Sequence, residues 1–159
     1  MRPEILTIRA SRPEDAAGIE LVRASAIASL RKTYRPTQKA IAHKQAISTS
    51  LTQLVALCDG RVIGSVEYRI EGDRVHFLSL DVHLDSRRQG VARRLLAELD
   101  AIGKRRGATR LSTYTVTQTG NVELFRRLAF RVVSEEPTDL FESDQHAALT
   151  ESYLEREIR

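Results

Sequence analysis

The segment Arg87-Arg-Gln-Gly-Val-Ala92 has the residue types of a binding site for an anion. Gly90 has no Cβ atom and Ala92 has only a methyl side chain, so a ligand can approach the backbone closely here. If a helix begins at Gly90, its first N–H groups lack intrahelical partners and carry the positive end of the helix dipole. Four arginines flank these positions: Arg87, Arg88, Arg93 and Arg94. Together these features predict an anion site suited to a pyrophosphate.

A strand and a helix must hold this segment if it is to bind an anion. Before it, apolar residues alternate with polar ones, at Leu78, Leu80, Val82 and Leu84, which indicates a strand. After it, apolar residues recur at helical spacing, at Val91, Leu95, Leu96 and Leu99. Gly107 is the expected end of this helix. The alternative is an ordinary strand–helix junction whose arginines contact only solvent.

The rest of the chain gives a similar pattern of short strands and amphipathic helices. Helices are predicted at residues 11–32, 36–47, 90–106 and 122–128, the first with a capping box formed by Ser11 and Glu14. Strands are predicted at residues 6–9, 51–58, 61–70, 74–84, 109–116, 130–133 and 149–158. Asp59-Gly60 is a strong hairpin signal, and Gly64 indicates a bulge or a close approach. The strand at 109–116 should run parallel to the one at 74–84.

The length, the hydrophobic content and the charge of the chain restrict the kinds of protein it can be. The chain has 159 residues, 42% hydrophobic and 29% charged, as expected for one globular domain. It has no apolar run long enough to span a membrane and no signal-peptide pattern at its N-terminus, so we expect a cytoplasmic protein. The net charge of +4 suits an anionic ligand, but scattered arginines and 5% aromatic residues do not predict nucleic-acid binding. Cys58, the one cysteine, lies in an apolar strand pattern and is expected to be an inert buried thiol.

Residues 87–92 resemble the acyl-CoA-binding motif of the GNAT (Gcn5-related N-acetyltransferase) superfamily, Gln/Arg-x-x-Gly-x-Gly/Ala. Arg87, Gly90 and Ala92 occupy its fixed positions. Residues 118–130 are similar to a second family signature, Asn-x-x-Ala-x-x-Leu-Tyr-x-x-x-Gly-Phe, with Gln118 in place of Asn and Phe125 in place of Tyr. The resemblance covers about residues 5–135. It implies an α/β (α+β) GNAT fold over residues 1–159, with a central mixed, mostly antiparallel sheet, a splayed parallel pair of strands and flanking helices.

The resemblance also implies an activity, that of an acyl-CoA-dependent N-acyltransferase (EC 2.3.1.-). Such an enzyme moves an acetyl group from acetyl-CoA to a primary amine by direct attack and needs no metal. In the family, a backbone N–H near a bulge in the strand before the pyrophosphate loop stabilises the developing oxyanion, and Val82, His83 and Leu84 match that place. The residues expected to contact acetyl-CoA are Val82, His83, Leu84, Arg87, Arg88, Gln89, Gly90, Val91, Ala92, Arg93, Gln118 and Phe125.

His76 is the first candidate for the general base. It lies eleven residues before Arg87, where several GNAT members have a Glu or His that accepts a proton, and residues 75–90 are similar to arylalkylamine N-acetyltransferases. Its imidazole titrates near neutral pH, which suits that role. The alternative is a histidine with a purely structural role. Glu67 and Asp81 are the next candidates, whereas His83 lies on the opposite face from His76 unless a bulge intervenes.

The general acid must differ from that of the family, because the tyrosine that usually supplies the proton is replaced by Phe125, which cannot donate one. Tyr114 or another group could substitute, or the thiolate could leave unprotonated. Alternatively the chain is a non-catalytic acyl-CoA-binding regulatory module.

The acceptor amine cannot be identified from the sequence. In GNAT members the first two helices and their loop form much of the acceptor side, so the specificity candidates are Tyr34, Arg35, Gln38 and His43. A solvated loop with one packed tyrosine is the alternative. A homodimer is expected, since dimers are common in the family.

Overall fold

A computed structural model of the protein describes residues 6–159. The strands of this part of the chain are β1 (Leu6–Ala10), β2 (Arg35–Pro36), β3 (Thr52–Cys58), β4 (Arg61–Glu71), β5 (Arg74–Val82), β6 (Arg110–Val116), β7 (Arg131–Thr138), β8 (Phe141–Glu142) and β9 (Leu149–Glu157). The helices are α1 (Ala16–Leu30), α2 (Gln38–Ile47), α3 (Val91–Arg106) and α4 (Asn121–Arg127).

Seven strands form one sheet in the order β1-β3-β4-β5-β6-β9-β7, and β2 pairs with β8 in a separate two-stranded ladder. β5 and β6 run parallel, and the other neighbours in the large sheet run antiparallel. The predicted mixed, mostly antiparallel sheet is therefore confirmed. In the described residues no helix is both long enough and apolar enough to cross a membrane.

Helices cover both faces of this sheet. The apolar stripe of α3, which includes Leu95, Leu96 and Leu99, is fully buried against Phe77 and Leu111 of the sheet. Burial of each such side chain contributes about 1.5–3 kcal/mol. On the other face, α1 buries a shorter stripe of Ile19, Val22 and Ala26.

The local signals in the sequence identified most of these elements correctly. Asp59 and Gly60 both have positive φ, 50° and 81°, as a two-residue hairpin requires. Gly107 ends α3 with a φ of 76°. At Gly64 a Cβ atom would lie 2.9 Å from Val91 Cγ1, so the sheet and α3 approach closely there, and β3 and β4 shift register beside it.

Two predictions at helix ends are wrong. The capping box at Ser11 and Glu14 does not form, because Asp15 accepts the N–H of Arg12 at 2.7 Å and α1 begins only at Ala16. The second helix begins at Gln38, since Pro36 lies in β2 and Thr37 caps the helix by accepting the N–H of Ala40.

Candidate active site

A gap opens between the parallel strands β5 and β6. Their ladder consists of three residue pairs and ends where His76 pairs with Ser112. The hydroxyl of Thr113 then donates to the carbonyl of Phe77 at 2.8 Å, and the two strands separate beyond that point. The splayed parallel pair expected from the resemblance is therefore present, and it leaves one edge of β5 without a strand partner.

A β-bulge changes which face the side chains of β5 occupy. Ser79 has a φ of +53°, and Ser79 and Leu80 together lie opposite Val66 of β4. Before the bulge Val75 and Phe77 point into the core beneath α3, and after it Leu80 and Val82 do so. His76 and His83 therefore share the other face of the sheet, because a bulge lies between them. Without the bulge they would lie on opposite faces.

The bulge lies at Ser79 and Leu80, three residues before the expected position at Val82, His83 and Leu84. The N–H of His83 donates to Ile63 on β4 at 2.8 Å, and the N–H of Leu84 donates to the Ser25 hydroxyl of α1 at 3.0 Å. Because N–H groups alternate along a strand, those of Leu80 and Val82 point away from β4 and into the gap. They are the backbone donors that the gap offers to a ligand.

The turn between β5 and α3 has the geometry of an anion site. Arg88 and Gly90 both have positive φ, 64° and 80°, and no side chain of the described part of the chain caps the N-terminus of α3. The N–H groups of Val91 and its two successors, Ala92 and Arg93, thus precede the first intrahelical bond, which Arg94 makes to the Gly90 carbonyl. Arg87 and Gln89 are exposed beside them.

Two cavities meet beside this gap. The smaller, of about 260 Å³, occupies the gap itself and is lined by Leu80, Thr113, Asn121 and Phe125, among others. The larger, of about 890 Å³, lies beneath α1 and α2 and beside β7 and β8. Residues lining both cavities mark their junction: Arg23, Ile27, Arg31, Phe77, Ser79, Tyr114, Phe141 and Glu151.

His76 lies in the wall of the larger cavity. His76 is 7% exposed, and its Nδ1 lies 2.9 Å from the hydroxyl of Ser112. Within residues 6–159 its Nε2 has no hydrogen-bond partner. Burial lowers the pKa of this imidazole below its usual 6.5, so it is neutral at neutral pH.

Glu67 and Asp81 belong to a network of charges under α1 and α2. Glu67 accepts from Arg23 at 2.5 Å and from Lys44 at 2.8 Å, so it has two cationic partners. Asp81 lies 3.9 Å from Arg23 and lines the smaller cavity. Burial raises the pKa of Asp81 to about 6, and only part of that effect is offset by Arg23. Glu67 thus links α1 and α2 to the sheet through its two ion pairs. Among the described residues Asp81 pairs only with Arg23, so less of its negative charge is neutralised.

Tyr114 and Phe125 face the gap from β6 and α4. The Tyr114 side chain is 55% exposed at the junction of the cavities, and its ring lies edge-on to His76 with the centroids 5.6 Å apart. Burial of part of the phenol raises its pKa above 10, so the hydroxyl is protonated at neutral pH. Phe125 packs against Phe77 and Phe130 and supplies only apolar surface to the smaller cavity.

Three other residues predicted to contact acetyl-CoA make intramolecular bonds. The amide of Gln118 donates to the hydroxyl of Thr150 and accepts its N–H, both at 3.1 Å, which ties the start of α4 to β9. The ring of His83 accepts the N–H of Asp85 at 3.2 Å. The guanidinium of Arg93 approaches the Arg127 carbonyl at 3.4 Å, near the end of α4.

The four specificity candidates lie at different depths. Tyr34 lines the smaller cavity with its ring against Phe141, and His43 lines the larger one. Arg35 instead pairs with Glu142 of β8 and with Asp144, which follows that strand, and Gln38 is exposed. Two of the four therefore line the cavities.

Sequence reasoning missed three residues of the site. Ser112 and Glu151 are brought to it by strand pairing that is distant in the sequence, and neither belongs to a recognisable motif. Asn121 opens α4 and lines the smaller cavity, three residues after Gln118. The alignment on Ala129 and Phe130 places Asn121 at the alanine of the family signature. It was therefore not considered in place of the signature's asparagine, which the alignment puts at Gln118. No group of three metal-ligating side chains lies close together in the described residues.

Comparisons with known proteins agree on one family. Residues 20–130 match the family model described as the acetyltransferase (GNAT) family. No curated protein sequence matches the chain significantly. Many solved structures share its fold.

Three of these structures illustrate the likeness. The ribosomal-protein-S18-alanine N-acetyltransferase from Escherichia coli has a TM-score of 0.73 at 17% identity, over 97% of this chain and 94% of that one. A GCN5-related N-acetyltransferase from Kribbella flavida has a TM-score of 0.70 at 23% identity, over 96% of this chain and 97% of that one. Nourseothricin acetyltransferase has a TM-score of 0.70 at 18% identity, over 97% of this chain and 99% of that one. At such identities the likeness concerns the fold alone.

Proposed function

This chain belongs to the GNAT acetyltransferase family, and we propose that it is an N-acetyltransferase that moves an acetyl group from acetyl-CoA to a primary amine by direct attack. One observation carries the proposal. A cavity in the gap between β5 and β6 meets a larger cavity beside His76 and Tyr114, so two substrates bound in them would touch at groups able to move protons.

The residues around the gap fit acetyl-CoA, which would supply an activated acetyl thioester. The first N–H groups of α3 and the exposed Arg87 and Arg88 would bind the pyrophosphate, and Gly90, Val91 and Ala92 would let it approach the backbone. A Cβ atom at Gly90 would meet no atom of the described residues within 4 Å, so this side of the turn is open. The unpaired edge of β5 at Leu80 and Val82 would bind an extended pantetheine arm as an added strand.

In this proposal His76 is the general base. Its neutral imidazole would accept the proton of the attacking amine at Nε2, which has no hydrogen-bond partner among residues 6–159. For Nε2 to be the acceptor, Nδ1 must carry the ring proton and donate it to the Ser112 hydroxyl, 2.9 Å away. Ser112 is then a positioning residue that fixes both the tautomer and the orientation of the ring.

Two further groups complete the proposed chemistry. The N–H of Leu80 points into the gap and would stabilise negative charge developing on the carbonyl oxygen. Tyr114, protonated at neutral pH and beside His76, would donate its proton to the leaving thiolate. It would thereby replace the tyrosine that the family signature has at Phe125.

The experiment that tests the proposal is titration calorimetry with acetyl-CoA, followed in the same sample by thiol release against a panel of primary amines. Micromolar binding together with amine-dependent release is the expected result. Absence of acetyl-CoA binding would contradict the assignment of the turn at Gly90.

Phe125 favours one alternative, a non-catalytic acyl-CoA-binding regulatory module, because it removes the usual proton donor. That module would bind acetyl-CoA without thiol release on any amine. Phe125→Tyr would then be the variant to test for a gain of turnover.

Homodimerisation and a cytoplasmic location remain predictions. Sedimentation at micromolar protein concentration tests the first, and a monomer alone would contradict it.

A further inference from the structure

One face of α1 lines both cavities. Arg23, Ile27 and Arg31 follow one another at intervals of four residues, so they lie on the same face of the helix. All three line the larger and the smaller cavity. Arg31 is the residue at which α1 ends, and it is exposed to solvent. This face therefore presents two guanidinium groups, with an isoleucine between them, to the junction of the cavities.

Arg31 differs from the other cations of the cavity walls in having no carboxylate partner. It forms no salt bridge within residues 6–159. Each of the other lysine and arginine side chains in these walls does form one: Arg23 and Lys44 with Glu67, and Arg69 with Glu71. The described chain therefore neutralises the charge of those three cations and leaves that of Arg31 for a ligand.

Tyr34 holds the side chain of Arg31 in place. The guanidinium carbon lies 5.6 Å from the centroid of the Tyr34 ring, and that ring packs edge-on against Phe141 with the centroids 5.0 Å apart. An aromatic face orients a guanidinium without neutralising it. The negative end of the α1 dipole also favours a cation at this position. Neither contact supplies the pair of coplanar oxygen atoms that a guanidinium binds best.

Two carboxylates face the cavities from the sheet, and they would orient a ligand bound to Arg31. Glu151 lines both cavities, and its cross-strand partner Glu136 lines the larger one. In the described chain neither forms a salt bridge with Arg31. Their negative charge would repel a carboxylate of the ligand and attract its ammonium group. The amine would then lie toward β9 and the neighbouring β6, which carries Tyr114 in contact with His76.

We propose that the acceptor is a small amino acid, a primary amine that also carries a carboxylate, and that Arg31 binds this carboxylate while the amine lies toward His76. This inference rests on the proposed transfer to an amine and adds the class of acceptor. Arg31 is then a specificity-determining residue. Ile27 and Phe141, which also line both cavities, would contact the carbon chain of the acceptor.

The test compares amines that differ only at the carboxyl group. L-Leucine is matched with L-leucinamide, and 4-aminobutanoate with 4-aminobutanamide, so that an α- and an ω-amino acid are both covered. With saturating acetyl-CoA, kcat/KM should favour the acid of at least one pair by about five- to tenfold, the effect of a two-point contact between arginine and carboxylate in a partly exposed site. The amine of L-leucinamide is less basic than that of L-leucine, so a bias from amine protonation would oppose this result.

Two variants and a matched control locate the effect at Arg31. Arg31→Gln should remove the preference by raising the KM for the amino acid, with little change in kcat or in the KM for the amide. Arg31→Lys should keep part of the preference, because it retains the charge but not the planar pair of donors. Lys32→Gln removes the same charge one residue away, at an exposed side chain outside both cavity walls as the structure describes them. It should leave the preference unchanged.

The KM for acetyl-CoA identifies a competing role for Arg31, contact with the phosphates of the donor. If Arg31→Gln raises this KM to the same extent with every amine and leaves the preference for the acid intact, Arg31 belongs to the donor site and the acceptor class is wrong. The class is also wrong if both amides are acetylated as well as their acids, or if Arg31→Gln and Lys32→Gln behave alike.

Titration calorimetry with L-leucine and 4-aminobutanoate, in the absence of acetyl-CoA, separates this inference from the proposed transfer. If one of the two acids binds better than its amide and Arg31→Gln weakens that binding, yet no amine is acetylated, the carboxylate site stands and the proposed transfer fails. If amines are acetylated without any preference for the acids, the transfer stands and the acceptor class fails.

Discussion

Burial favours the neutral form of three titratable side chains on the cavity walls. It lowers the pKa of the His76 imidazole and raises the pKa of the Asp81 carboxyl and the Tyr114 hydroxyl. A neutral imidazole accepts a proton and a neutral phenol donates one. The same desolvation therefore prepares His76 and Tyr114 for opposite roles at neutral pH.

The role of His76 predicts a pH dependence. Protonation of His76 at acidic pH should inactivate the base, so kcat/KM should fall along an acid limb with a pKa below 6.5. His76→Gln should lower kcat about a hundredfold, the usual worth of a general base, and should abolish this limb. Ser112→Ala should lower kcat and shift the limb while the KM for acetyl-CoA stays unchanged.

Asp81 is the control for this experiment, because its pKa of about 6 lies in the same range. Asp81→Asn should retain the acid limb. If Asp81→Asn abolishes the limb and His76→Gln keeps it, the base is Asp81.

Asp81 also predicts how stability changes with pH. Its pKa is raised from 3.8 to about 6 in the folded chain, so between these values the folded state binds more protons than the unfolded state. Stability from this group is therefore present at about pH 4 and is lost as the pH rises past 6. The free energy of unfolding should fall by about 3 kcal/mol over this range.

Urea unfolding at several pH values, with Asp81→Asn in parallel, isolates this contribution. The variant cannot titrate at this position, so its stability relative to the unaltered protein should increase between about pH 4 and pH 7. A constant difference between the two proteins would mean that the carboxyl is not destabilised by burial.

At the scale of elements, the two ends of α3 offer a matched pair of glycines. Gly90 and Gly107 have positive φ values of 80° and 76°, and a Cβ atom at either would lie more than 4 Å from every neighbouring atom that the structure describes. Glutamate at either position should therefore cost about 1–2 kcal/mol of stability through the backbone. Only at Gly90 would it put a negative charge where the pyrophosphate is proposed to bind, so acetyl-CoA affinity should fall about a hundredfold in Gly90→Glu alone.

Calorimetry with acetyl-CoA on both variants checks this difference. Equal losses of affinity would trace the effect to helix stability, and unchanged affinity in Gly90→Glu would remove the turn from the binding site.

The sequence predicted elements better than the detail within them. Helix periodicity, the turn at Asp59-Gly60 and the end of α3 at Gly107 are local properties, and the structure has each of them. The bulge at Ser79 was misplaced because Leu78, Leu80, Val82 and Leu84 read as one unbroken alternation. A serine gives no local sign of a positive φ, and the bulge depends on pairing with β4.

At the scale of the whole molecule, the site depends on contacts between distant parts of the chain. β9 was expected as a strand, but its place between β6 and β7 was not, and that place brings Glu151 beside Tyr114 and opposite Glu136. Residues 137–150 have no alternation or helical spacing that predicts an element. The strand found there, β8, is only two residues long and is defined by its pairing with β2. Strand order and cross-strand neighbours depend on the assembled sheet, so the place of Glu151 at the cavities could not be found from the sequence.

One buried ion pair holds β9 against the rest of the fold. Arg156 of β9 makes two bonds to Asp100 of α3, at 2.9 and 3.1 Å, and each residue is 6% exposed. The same guanidinium donates to the carbonyl of Leu128 and lies over the ring of Phe130. It therefore joins α3, the end of α4 and the C-terminal strand.

Because both charges are buried, removing one of them leaves the other without a partner. Asp100→Ala should lower the free energy of unfolding by about 3–5 kcal/mol, whereas replacing both, with Asp100→Leu and Arg156→Met, should cost much less. Asp139→Ala, which breaks the exposed pair with Lys39, is the control and should cause no measurable change in urea unfolding. If Asp100→Ala is as mild as Asp139→Ala, β9 is held by its strand pairing alone, and the position of Glu151 does not depend on this ion pair.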